Sequence, residues 1–143
     1  MTTCPRCHLT WGRSDEEHNL FFGVIGMAFD NWPEAHVFKP HSAEHLRGWL
    51  LIEAQHFDTL TLAHDTTPSH AVAIGAFFTE GKTHFDVTHD KFGRPIIRRP
   101  KTIKKGECKI REFRIVAAKV YDIIAVETGL TPEIYKKEQG KAA

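Results

Sequence analysis

Two cysteines and a histidine near the start of the chain are the residues best suited to hold a metal ion. Cys4, Cys7 and His8 form a Cys-x-x-Cys-His segment, and two cysteines at this spacing can chelate zinc from one tight turn. No second pair follows at finger spacing, so His18 or Cys108 would have to complete the site. We therefore take Cys4, Cys7, His8 and His18 as candidate ligands of a structural zinc ion. The alternative is a flexible tail that carries two exposed thiols.

A second group of metal-binding residue types lies farther along the chain. His84, Asp86, His89 and Asp90 offer the nitrogen and oxygen ligands with which a metal-dependent nuclease holds the cation that activates water. The sequence contains no His-Glu-x-x-His, His-Asn-His or paired-carboxylate signature at a specific spacing. We therefore predict no catalytic residue and no enzyme, and keep a metal-dependent nuclease as an alternative.

Positive charge is concentrated between Lys91 and Lys119. This segment holds eleven of the nineteen Lys and Arg residues and two of the eighteen acidic residues, which gives it a formal charge of +9 and leaves −8 for the remainder. A field of one sign attracts polyanions, and basic side chains bind phosphates with release of counterions. Phe92 adds a ring on which an unpaired base of single-stranded DNA or RNA could stack. The predicted nucleic-acid contacts are Lys91, Phe92, Arg94, Arg98, Arg99, Lys101, Lys104, Lys105, Lys109, Arg111 and Arg114.

The same distribution of charge also fits two roles that involve no nucleic acid. Arginine and lysine on a strand at the edge of a sheet discourage edge-to-edge aggregation. The acidic remainder of the chain would suit a protein-binding inhibitor that meets a basic surface of a host nucleic-acid or defence complex.

Helix caps and apolar periodicity indicate the elements that must position these residues. Ser14 opens a capping box, and the apolar stripe that follows it ends before Pro33. Two further helices are predicted after Ser42 and Thr67, where a hydroxyl residue precedes helix-forming sequence. The longest helix begins at Lys109, and a short one follows it.

A β-hairpin is predicted between the third and fourth helices. Residues 83–88 and 94–99 have the composition of strands, and the segment 89–93 between them has the composition of a turn. Pro95 and Pro100 lack an N–H group, so we expect the second strand to lie at an edge of the sheet. The predicted fold class is α+β, with about five helices packed against a small antiparallel hairpin or sheet.

The length and composition suit one compact domain. Of 143 residues, 41% are apolar, which is enough for a core, and we place the single α+β domain at residues 14–138. Residues 1–13 are expected to form a flexible or zinc-knuckle tail and residues 139–143 a disordered tail. The chain has no apolar run that could span a bilayer and no signal-peptide layout, so we expect a cytoplasmic protein without a membrane partner.

The first helix carries more apolar residues than one face requires. Leu20, Phe22 and Met27 lie off the main stripe, and a helix that is apolar on a second side is usually buried there as well. A symmetric partner commonly supplies that second side, so we predict a homodimer with the first helix as the contact. The alternative is a monomer in which this helix is central to the core.

Several segments resemble a family of small phage and prophage proteins. The segment R-S-D-E-E-H-N-L-F-F, from Arg13 to Phe22, is similar to the R-S-x-x-Q-N-x-x-[FW] opening of that family, and the segments A-F-D-N-W-P, H-L-R-G-W-L and P-K-T-I also resemble it. Its members are mostly conserved hypothetical proteins encoded near phage replication and recombination genes. The opening helix also resembles the NinB (Orf) family, whose members bind single-stranded DNA as homodimers and help to load recombinase. The resemblance implies an accessory role in recombination or replication.

Overall fold

The computed structural model describes residues 15–103 and 109–142. Within these ranges the chain forms five α-helices and three β-strands, which confirms the α+β fold class. In chain order the elements are α1 Asp15–Asp30, α2 Ala43–Glu53, β1 Phe57–Thr61, α3 Pro68–Phe78, β2 Asp86–His89, β3 Pro95–Pro100, α4 Ile110–Thr128 and α5 Pro132–Ala142. The predicted cap of α1, Ser14, lies outside the described residues. Helix α5 continues to Ala142, through most of the segment that the sequence predicts to be a disordered tail.

The chain divides into two compact units, and the single domain at residues 14–138 stays a prediction. One, here called the sheet unit, runs from His41 to Lys101 and contains α2, α3 and the three strands. The other, here called the helical unit, contains the described residues up to Pro40 and from Thr102 onward, with α1, α4 and α5. None of the five helices in the described ranges has both the length and the apolar character needed to cross a membrane.

In the helical unit, α4 and α5 both pack against α1. Phe21 and Val24 of α1 are completely buried, and the ring of Phe21 meets the ring of Phe113 from α4 edge-on, with 5.3 Å between the ring centroids. Tyr135 of α5 lies directly over Gly23, where a side chain larger than hydrogen would collide with its ring. Helix α1 is therefore contacted by two helices of its own chain.

The additional apolar residues of α1 are accommodated by this packing. Leu20, Phe22 and Met27 are half-buried, although the sequence predicts that they lie in a homodimer contact. Among the described residues, the large apolar side chains that are exposed belong to other segments; they are Val37, Val72, Phe77, Phe92, Ile115, Val126 and Ile134. The geometry thus favours the alternative in which α1 is a central helix. A homodimer through some other surface stays a prediction.

In the sheet unit, β3 is the central strand and pairs antiparallel with β1 on one side and β2 on the other. The prediction that β3 lies at an edge is therefore wrong. Its two prolines, Pro95 and Pro100, are the first and last residues of the strand. The four residues between them keep their N–H groups for the two ladders, so prolines at these positions do not prevent pairing on both sides.

Helices α2 and α3 lie on opposite faces of this sheet. The ring of His84 meets the ring of His45 from α2 edge-on, and the ring of the next residue, Phe85, lies directly against Gly75 of α3. Successive side chains in extended chain point to opposite faces, so these two contacts place one helix on each side. The side chain of Arg99 on β3 also points toward α3, because it donates a hydrogen bond to the carbonyl of Phe78 at the end of that helix.

Candidate nucleic-acid interface

The turn between β2 and β3 is held by one carboxylate. Oδ1 of Asp90 accepts hydrogen bonds from the backbone N–H groups of Phe92 and Arg94, each at 2.9 Å. Oδ2 accepts a third hydrogen bond, from Nε of Arg94 at 2.7 Å. The hydrogen bond from the Arg94 N–H is the main cause that lowers the pKa of Asp90. Gly93 has a φ of +78°, which a glycine adopts without strain.

This turn presents Phe92 to solvent between two cations. The Phe92 residue is 67% exposed, a high value for a large apolar side chain. Nζ of Lys91 lies 5.1 Å from its ring centroid, and the guanidinium carbon of Arg94 lies 5.4 Å from it. Both distances fall within the range of cation–π contact. An exposed aromatic face flanked by positive charge is suited to a base and its neighbouring phosphates.

The two arginines in the middle of the predicted site are bound within the sheet unit instead. Arg98 donates from Nε and Nη2 to the two carboxylate oxygens of Asp86, at 2.7 and 2.5 Å. This hydrogen bonding is the main cause that raises the pKa of Arg98. Arg99 stacks on the ring of Phe78 at 3.9 Å and lies 3.7 Å from a carboxylate oxygen of Asp58. We infer that Arg98 and Arg99 act mainly in the structure of the sheet.

The remaining predicted contacts are distributed between the two units. Lys101 is exposed just after β3 in the sheet unit, while Lys104 and Lys105 lie outside the described residues. Lys109, Arg111 and Arg114 belong to α4 and its N-terminal boundary in the helical unit, and all three are exposed. The structure therefore brings Lys91, Phe92 and Arg94 together at the turn, and Lys101 lies beyond the far end of β3.

Arg114 is already held by an acidic side chain. It donates from Nε and Nη2 to the carboxylate of Glu17 on α1, at 3.0 and 2.9 Å. These hydrogen bonds are the main cause that raises the pKa of Arg114. A phosphate would have to compete with Glu17 for this guanidinium, as it would with Asp90 for the guanidinium of Arg94.

Most of the predicted zinc ligands lie outside the described residues. Cys4, Cys7, His8 and Cys108 belong to that part of the chain. His18 lies on α1, where its ring packs against Phe22 with 4.6 Å between the ring centroids. Within residues 15–103 and 109–142, no group of three or more histidine, cysteine or acidic residues is placed to hold a metal ion. The zinc knuckle stays a prediction.

The four residues considered for a nuclease do not form one site. Asp86 is bound to Arg98 and Asp90 to Arg94, so both carboxylates are engaged by guanidinium groups. His84 lies before β2 and faces α2 (5.3 Å from the ring of His45), whereas His89 is exposed at the end of β2. The arrangement offers no specific support for a hydrolytic centre at these residues.

A histidine cluster at the start of α2 is a feature that the sequence does not predict. The rings of His41 and His45 stack with 3.9 Å between their centroids, and His45 meets His84 edge-on. The backbone N–H of His41 donates to Nδ1 of His45 at 3.4 Å. Burial is the main cause that lowers the pKa of both His45 and His84, and His41 and His84 lower that of His45 further. The spacing of His41 and His45 around the Ser42 cap is a signal in the sequence, whereas the approach of His84 has none.

Comparison of the chain with known proteins gives no match to a protein-family model, to a curated protein or to a solved structure.

Proposed function

We propose that this chain is a phage or prophage nucleic-acid-binding accessory protein that holds single-stranded DNA or RNA at the turn between β2 and β3. The observation that carries the proposal is the exposed ring of Phe92 between the cations of Lys91 and Arg94. The resemblance of several segments to proteins encoded near recombination and replication genes supports an accessory role in those processes.

The geometry of Phe92 favours an unpaired strand over a duplex. Bases in a duplex are stacked on one another, so a protruding ring can stack on a base only where the base is unpaired. The three hydrogen bonds that Asp90 accepts hold the turn in shape before any ligand arrives. Binding then loses little conformational entropy in the protein, which raises the affinity that a small contact can reach.

A nucleic-acid strand bound at Phe92 would find a further positive charge beyond the far end of β3. Lys101 follows the end of this strand and is exposed. In an extended chain, seven residues beyond Arg94 correspond to roughly 20 Å, a length over which a few nucleotides extend. Contacts to phosphate carry no sequence information, so we expect little sequence preference.

The test compares two exposed phenylalanines of the sheet unit. Phe92→Ala should weaken binding of a fluorescent single-stranded oligonucleotide about tenfold or more, because stacking contributes ~1–3 kcal/mol per base. Phe92→Trp should keep the affinity. Phe77→Ala is the matched control, because Phe77 is 87% exposed near the end of α3, which contacts Arg99 close to the end of β3 opposite the turn. Equal affinity of the Phe92→Ala and Phe77→Ala proteins, or equal affinity of the native protein for the oligonucleotide and its duplex, would contradict the proposal.

A further inference from the structure

The outer face of α4 carries an ordered stripe of exposed residues that the proposed function does not use. Ile115 is 55% exposed and Val126 is 82% exposed, although both are large apolar side chains. Lys119 and Asp122 lie between them and are also exposed. At 3.6 residues per turn these four side chains fall on one side of the helix, over about three turns. The opposite side of α4 is buried and includes Val120 and Ile124.

The order of residues along this stripe is self-complementary. When two copies of α4 lie antiparallel, the register that sets Ile115 of one copy against Val126 of the other also sets Lys119 against Asp122. Because the arrangement has a twofold axis, each contact occurs twice, as in an isologous interface. The apolar contacts then lie at both ends of the stripe and the opposite charges lie in its middle. A parallel arrangement would instead place Lys119 against Lys119 and Asp122 against Asp122.

We propose that this face of α4 is a self-association surface and that its partner is a second copy of the same chain. The charge pattern argues for this occupant, because a surface whose basic and acidic residues exchange places under a twofold rotation is complementary to itself. The inference is independent of nucleic-acid binding. The proposed homodimer contact lies on α4. It differs from the contact predicted from the sequence, which lies on α1, because α1 packs against two helices of its own chain.

The expected dimer is weak and reversible. A pair of single helices buries less area than the interfaces of permanent dimers, so association should become visible only at high protein concentration. Sedimentation equilibrium of the full chain should give a mass near 16.3 kDa in dilute solution that rises toward twice this value as the concentration approaches the submillimolar range. A mass that stays at the monomer value over that range would overturn the proposal.

Charge reversals test the register directly. Lys119→Asp should abolish the rise in mass, because the new carboxylate of one copy would face Asp122 of the other; Asp122→Lys should do the same through lysine pairs. An equimolar mixture of these two single variants should form a mixed dimer, because each then presents the charge that the other needs. The double variant Lys119→Asp with Asp122→Lys should self-associate like the native chain, because exchange of the two charges restores the opposite pairs.

A matched control separates the register from a general effect of charge. Lys137→Asp makes the same change at an exposed position of α5 and should leave the rise in mass intact. Equal helical circular dichroism of all variants in dilute solution will show that the monomer fold is kept. Loss of association in the Lys137→Asp protein, or failure of the mixture and of the double variant to associate, would contradict a contact through this stripe.

Discussion

Arg98 and Asp86 lie directly opposite each other on β3 and β2, and the guanidinium of one binds both carboxylate oxygens of the other. The pair joins two neighbouring strands at a position where both side chains are mostly buried, and the ring of Phe57 on β1 lies 5.0 Å from the guanidinium. One arginine thereby contacts all three strands of the sheet. This position explains why Arg98, which the sequence predicts to contact phosphate, has a structural role.

Replacement of Arg98 should cost stability. Arg98→Ala leaves the Asp86 carboxylate without its bidentate partner, and such a loss in a partly buried site typically costs about 1–3 kcal/mol of unfolding free energy. Urea unfolding followed by circular dichroism measures this difference. Arg94→Ala removes a more exposed pair, with the arginine side chain 48% exposed, and should cost less than ~1 kcal/mol. In the double variant Arg98→Ala with Asp86→Ala, part of the loss should be recovered. If Arg98→Ala and Arg94→Ala lower the unfolding free energy by the same amount, the structural role of Arg98 is contradicted.

Salt should weaken binding of single-stranded nucleic acid in proportion to the phosphates contacted. We expect the logarithm of the binding constant to fall linearly with the logarithm of salt concentration. Lys91→Gln and Lys101→Gln should each reduce the slope by about 0.7 if each lysine contacts one phosphate of a single strand. Anisotropy titrations at several salt concentrations give the slopes.

The control for the salt experiment is Lys82→Gln. Lys82 is an exposed lysine of the same unit that lies outside the basic segment and 3.1 Å from Glu80. Its replacement should leave the slope unchanged. If the double variant of Lys91 and Lys101 keeps the native slope, the basic turn does not contact phosphate.

Acid should destabilise the protein through the histidine cluster of α2. The pKa of His45 and that of His84 are lowered in the folded chain, so the unfolded chain binds protons more readily at these positions. Their contribution to stability is complete above the ordinary histidine pKa of about 6.5 and declines as pH falls below it toward the lowered native values. Urea unfolding at about pH 7.5 and about pH 5.5 measures the loss.

Variants at these histidines separate the cluster from other titrating groups. His45→Gln and His84→Gln should each reduce the difference in stability between the two pH values, since glutamine does not titrate. His64→Gln, at an exposed position of the sheet unit, is the matched control and should retain the native difference. Similar pH dependence in all three variants would show that the cluster is not responsible.

The helices could be predicted from the sequence because their signals are local. Ser42 and Thr67 cap α2 and α3 through hydrogen bonds from the N–H groups of His45 and His70, as their position before each helix indicates. The apolar stripe of α4 likewise corresponds to its buried side. These features depend on residues within a turn or two of one another, and a single sequence contains them in full.

The position of β3 and the fate of its arginines could not be predicted in this way. Pro95 and Pro100 favour an edge strand when only the sequence is known. The sequence carries no local signal that β1 pairs with the same strand. The pairing of Arg98 with Asp86 follows from the register of the hairpin, and the stack of Arg99 on Phe78 follows from the packing of α3. Phe92 could be identified because a turn tip is exposed by its position in the hairpin.

The central position of β3 also constrains when the sheet can form during synthesis of the chain. Strand β1 leaves the ribosome first, but its partner is a strand that follows α3 and β2 in the chain, with Phe57 finally opposite Pro100. A nascent chain must therefore carry β1 without its neighbour until residues up to Pro100 have emerged. Only then can β3 pair with β1 on one side and with β2 on the other, so the last of the three strands to emerge is the one that completes the sheet.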